Sequence, residues 1–160
     1  MTIIDTTGAQ DDNFVNIPIP FPVNFLGSTY TSVYVGSNSY ATFGMGSTVY
    51  SSISGANPPH PGIHVGAADN SFQRILYISE STTDGNIFRV RYEGTAATHG
   101  TIGSPNIVWE LTFYQSQPLI VDVVVGANAR GLVGRNGVTN GSGYLYTSTS
   151  SIGSYRIISN

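Results

Sequence analysis

Histidine pairs and carboxylate runs are the side chains most able to do chemistry in this chain. His60 and His64 lie four residues apart, and His99 and Asp69 could join them around a metal. That spacing puts two imidazoles on one face only in a helix. Pro59 and Pro61 flank His60 and argue against a helix there. No metal site is therefore expected, and the histidines are read as exposed loop residues. Asp11-Asp12-Asn13 and Asp84-Gly85-Asn86 carry the oxygen ligands that calcium prefers. Neither has the spacing of a known calcium loop, and Asp and Asn favour turns for backbone reasons alone.

Catalysis has no firmer basis. The three Glu and six Asp could work as acid–base pairs only through a proximity that sequence does not supply. No serine sits in a nucleophile elbow, and Gly131–Gly134 lacks the lysine and following helix of a phosphate loop. The chain has no cysteine, which removes a thiol nucleophile and a disulfide scaffold. The expectation is a protein that is not an enzyme and uses no cofactor.

The ten tyrosines offer a different chemistry. Tyr144 and Tyr146 are expected on one face of a short strand, with Tyr155 close in sequence and Asn136 and Asn140 in the preceding loop. Aromatic faces beside amide side chains can hold a sugar ring. These five residues form the candidate ligand-binding set. The plainer reading is that tyrosine is a favoured strand residue with one face packed.

Composition narrows the partners. Only 9% of the 160 residues are charged, against roughly 25% in an average soluble domain. There is no lysine, and all six basic side chains are arginine. A net charge of −3 without a basic cluster excludes an electrostatic footprint for nucleic acid. No apolar run approaches the ~20 residues that span a bilayer, so no membrane insertion is expected. Met1-Thr2-Ile3-Ile4-Asp5 has neither a basic nor an apolar leader segment, and no signal peptide is expected. A 40% hydrophobic content rich in Tyr, Val and Ile indicates a folded core.

The elements that must position these side chains are strands. Short apolar runs between Gly, Asn, Ser and Pro predict strands near Phe21–Leu26, Thr31–Val35, Tyr40–Phe43, Ile63–Ala67, Arg74–Ile78, Ile87–Glu93, Ile107–Tyr114, Leu119–Val125, Gly143–Tyr146 and Tyr155–Ile158. In the middle of the chain three of them alternate cleanly, with Arg89 and Arg91, Glu110 and Asp122 opposite apolar faces. A meander would set these charges side by side and fix the register, because a one-residue slip would bury them. Gly44–Pro61 and Gly126–Asn140 read as long loops. Uneven spacing without a repeat predicts one antiparallel β-sandwich, jelly-roll-like or related, over residues 1–160.

One stretch goes beyond composition. Ile19-Pro20-Phe21-Pro22-Val23-Asn24 leads into F-L-G-S-T-Y-T-S-V-Y-V-G-S-N-S-Y-A-T-F-G from Phe25 to Gly44. This resembles the signature opening nidogen-like (NIDO-type) extracellular β domains, found also in bacterial and phage surface proteins. Ile63–Asp69, Phe88–Gly94 and Val108–Tyr114 resemble later strands of that family. Ser39 stands where the family usually has glycine, and Asn38 is expected to carry the positive φ in its place. The resemblance implies a surface module, on a virion or extracellular surface, that binds its own copies or other surface proteins. A cell-surface glycan is the alternative partner.

Overall fold

The structure is a computed structural model describing residues 2–3, 10–49, 60–96, 104–130, 135–147 and 153–160. His99, residues 50–59 and Gly131–Gly134 lie outside the described residues. Among the described residues thirteen strands form: β1 (Thr2–Ile3), β2 (Gln10–Asp11), β3 (Phe14–Phe25), β4 (Ser28–Gly36), β5 (Tyr40–Thr42), β6 (Pro61–Ala67), β7 (Ser71–Thr82), β8 (Gly85–Thr95), β9 (Ile107–Tyr114), β10 (Ile120–Asn128), β11 (Arg135–Asn140), β12 (Tyr144–Thr147) and β13 (Tyr155–Ile158). They build two antiparallel sheets, one ordered β1-β7-β8-β9-β10-β13 with β2 also on β7, the other β12-β11-β6-β5-β4-β3. The expected all-β sandwich is what forms.

Alternation explains the core. Ile17, Ile19, Phe21, Val23 and Phe25 of β3 point inward, as do Val90 and Tyr92 of β8 and Trp109, Leu111 and Phe113 of β9. Strand β3 starts at Phe14, well before the expected Phe21. Pro18, Pro20 and Pro22 lie on its exposed face, where β3 is an edge strand and the ladder to β4 is interrupted between Pro18 and Val23. Proline is tolerated there because no ladder bond is lost, and it blunts an edge that could otherwise recruit another chain.

The meander of β8, β9 and β10 has the predicted register. Arg91 lies opposite Glu110, and Asp122 opposite Thr112. On the outer face of this sheet Arg89 meets Glu80 and Glu110, Arg74 and Arg91 meet Glu93, and Arg156 meets Asp122. Four arginines thus face four acids, so the face carries no net charge of its own.

Glu93 is the buried member of that network, its side chain 7% exposed, and it accepts from Arg74 Nε and from Arg91 Nε at 2.7 Å. Burial alone would raise its carboxyl, but the two guanidinium groups outweigh burial and hold it below the usual value of 4.5. A depressed folded value adds stability above pH 4.5 that is lost as pH falls through the folded value. Both arginines are well exposed, so Glu93→Gln is expected to cost only about 1 kcal/mol at pH 7. Urea melts at pH 7 and pH 3 should show a smaller acid-induced loss in the variant than in the parent chain.

The turn between β4 and β5 ties the two sheets together. Trp109 Nε1 donates to Ser39 Oγ at 2.9 Å, and Tyr92 Oη donates to the Ser37 carbonyl at 2.7 Å. Ser39, and not Asn38, adopts the left-handed backbone, with φ 67°. Its hydroxyl also donates to the Val65 carbonyl, so two buried bonds hold the residue in a conformation that glycine would adopt freely.

Candidate functional site

The expected loop Gly126–Asn140 is partly a strand. β10 runs on to Asn128, and Arg135–Asn140 forms β11, inserted between β6 and β12. Asn136 therefore is not a free loop amide. It is fully buried, and its Oδ1 accepts from Gly66 N at 2.8 Å and Asn128 Nδ2 at 2.9 Å. Asn140 is exposed, but its Oδ1 accepts from Ser142 N and Gly143 N and shapes the β11–β12 turn.

A bulge separates the two tyrosines of β12. Thr139 lies opposite Tyr144 and Val138 opposite Tyr146, leaving Leu145 as the extra residue. Consecutive residues of β11 point to opposite faces, so their partners do too. Tyr144 and Tyr146 thus do not share a face. Val138 belongs to the core, and Tyr146 follows it inward. Tyr144 goes outward and covers His64.

His64 is correspondingly not a loop residue. It lies on β6 beside the inward Ile63, opposite Gly137 and Tyr40, and is fully buried. Its Nδ1 is 2.6 Å from Tyr144 Oη, and the two rings meet edge-on at 5.3 Å. Its Nε2 is buried without a hydrogen-bond partner among the described residues. Burial pushes the imidazole down to about 3 and lifts the Tyr144 phenol to about 12. His60 directly precedes β6 and is half-buried.

On the inner side, β12 and β13 frame an apolar groove of about 410 Å³. Its walls are Leu26, Val138, Leu145, Tyr146, Tyr155, Arg156 and Ile157. Tyr146 and Tyr155 pack with ring centroids 5.8 Å apart, and the Tyr155 hydroxyl is buried without a hydrogen-bond partner among the described residues. Of the five predicted ligand residues the structure brings these two together. The other groove residues, apolar apart from Arg156, carry no pattern in the sequence that separates them from core positions.

The remaining predicted clusters resolve differently. Asp84 lies in the β7–β8 turn and Gly85 and Asn86 open β8; Thr82 Oγ1 accepts from Asp84 N and Asn86 Nδ2 donates to Gln115 Oε1. Asp69 joins Asp11 and Asp12, with carboxylate oxygens within 4.8 Å of one another, rather than a histidine. Asn38 Nδ2 donates to Asp12 Oδ1 at 3.0 Å, and Arg130 bonds the Asp69 carbonyl and Asn70 Oδ1. These are oxygens a hard cation accepts, already partly engaged by neighbouring donors.

Two antiparallel sheets, a neutralised outer face and a groove at one open end define a β-sandwich module. The model of the NIDO-related family matches residues 2–98, and the chain belongs to that family, whose domains are typically extracellular. The match spans β1 to β8 and includes the Ser37–Ser39 turn, whereas β11, β12 and β13, which build the groove, lie beyond it. No curated protein and no solved structure matches the chain.

Proposed function

We propose that this domain is a non-enzymatic surface module that works in adhesion, receptor binding or assembly with its own copies or other surface proteins. Its proposed setting is a virion part such as a phage fibre, spike or decoration protein. The apolar groove between β12 and β13 carries the reading. Leu145 and Tyr146 stand at it 58% and 51% exposed. Large apolar side chains gathered at a concave surface support contact with a protein partner. The self-neutralised outer face of the other sheet offers no comparable electrostatic patch. Few charges, no lysine and abundant Gly, Ser, Thr and Asn suit a packed surface component.

Sedimentation velocity across a concentration series tests assembly directly. The expected result is a concentration-dependent oligomer that Leu145→Asp weakens at least about tenfold, the effect of one lost hot-spot contact, with an unchanged melting temperature. A chain that stays monomeric, or a variant that assembles normally, overturns assembly through the groove. A carbohydrate-binding role is the second reading, favoured by the half-exposed Tyr146 ring beside Tyr155. It requires glycan-array signal that Tyr146→Ala removes. Turnover of a glycan that one carboxylate replacement abolishes would overturn the non-enzymatic assignment.

A further inference from the structure

We propose that β12 is an acid-released flap: Tyr144 latches it over His64, and protonation of His64 frees the strand and opens the groove on its other side. The release stands on the latch geometry alone, and only its consequence for binding rests on the proposed function of the groove.

An imidazolium needs acceptors at both nitrogens. At Nδ1 the Tyr144 oxygen is in place at 2.6 Å, but Nε2 is buried with no hydrogen-bond partner among the described residues. Tyr40 of β5 also packs against the ring, and its single hydroxyl proton is engaged between the Ser47 and Val49 carbonyls. Arg135 at the start of β11 acts electrostatically on Tyr144, and Asp12 acts on Tyr40. Burial is what shifts His64, and among the described residues no carboxylate compensates it. A charged His64 is therefore a buried, half-satisfied ion, relieved only when water reaches Nε2.

Water enters most readily by lifting the cover. β12 is a four-residue edge strand, held to β11 at three register positions and interrupted by the Leu145 bulge. Short edge elements with few ladder bonds open at the lowest local free energy. Its outward residue is the Tyr144 latch, and its inward residue, Tyr146, is a groove wall. Release therefore acts on both faces at once.

The sign follows from linkage. His64 sits at about 3 when closed and returns toward 6.5 when hydrated. The open form binds more protons below pH 6.5, so opening becomes up to about tenfold more favourable per pH unit and levels off near pH 3. Glu93 and Asp122 lie on the other sheet, paired with Arg91 and Arg156.

Amide hydrogen exchange at pH 7, 6 and 5, corrected for intrinsic rates, tests the flap. Protection of β11 and β12 amides should fall by up to about tenfold per unit below pH 6.5, while β8 and β9 hold theirs. His64→Phe should make β12 protection independent of pH, with His64→Gln as the second variant should the ring not fit. Tyr144→Phe should lower protection at pH 7 and keep the slope. A flat profile in the parent chain, or a slope that survives both His64 replacements, overturns the proposal. Sedimentation at pH 7 and pH 5 reads the groove separately. Acid release with unchanged self-association upholds the flap and overturns the groove as the assembly surface.

Discussion

Trp109→Ala is expected to lower the stability of the fold by about 4 kcal/mol, within the range for emptying a large buried aromatic site. Trp109 is 1% exposed, lies flat on Tyr92 at 5.0 Å with 5° between the rings, and donates across the sandwich to Ser39. Trp109→Phe keeps a ring over Tyr92 and should cost about 2 kcal/mol through lost volume and the lost bond. A double-mutant cycle with Ser39→Ala isolates the bond. Ser39→Ala strands the indole N–H in the parent chain but not in Trp109→Phe, so a coupling of about 1 kcal/mol is expected. Urea midpoints measure it, and a coupling indistinguishable from zero would show that shape alone holds the sheets together here. Ser39→Gly adds a further distinction. It loses the same hydroxyl but relieves the left-handed backbone, and should be about 1 kcal/mol less damaging than Ser39→Ala.

Asn38→Ala should cost about 3 kcal/mol, because the buried Asn70 N–H loses its acceptor and the bonds to Asp12 and Val49 go with it. Asn38 is fully buried, donates through Nδ2 to Asp12 Oδ1 and the Val49 carbonyl, and accepts from Asn70 N at 2.9 Å. Removing its amide leaves the Asn70 N–H without its acceptor, whereas the Val49 carbonyl keeps the Tyr40 hydroxyl. Asn38→Asp is the more telling variant. It keeps the acceptor but loses both donors, and places a second carboxyl beside Asp12. Burial and like charge would raise the folded value of that carboxyl above its ordinary one. The deficit should then be greatest at neutral pH and shrink as the solution is acidified through that raised value. Melts at pH 7 and pH 4.5 check this, and a deficit that does not fall with pH would mean the lost donors matter more than the added charge.

Both predictions centre on a turn that was visible as a sequence pattern but not as a structural junction. The residues from Gly36 to Tyr40 read as a tight turn between strands. Their bonds to Trp109, Tyr92 and Asn70 come from positions 32 to 70 residues away. The choice of Ser39 over Asn38 for positive φ follows from those partners. Asn38 has its amide committed to Asp12, Val49 and Asn70, whereas the Ser39 hydroxyl reaches both Trp109 and Val65.

The sequence alone determined the all-β class, the bounds of β9 and β13, and the register of the charged meander, because period-two alternation is local and a slip would bury charge. It could not show β11. Arg-Asn-Gly-Val-Thr-Asn has the composition of a turn, and becomes a strand because β6 and β12 supply its ladder from both sides. Nor could alternation place the tyrosines of β12. One bulged residue, Leu145, sends Tyr144 outward to His64, 80 positions earlier in the chain, and Tyr146 inward to the groove. The chemistry-bearing side chains were identifiable from their types. Which of them meet was decided by strand order and by a single bulge, both set by packing between distant segments and not by the residues on either side.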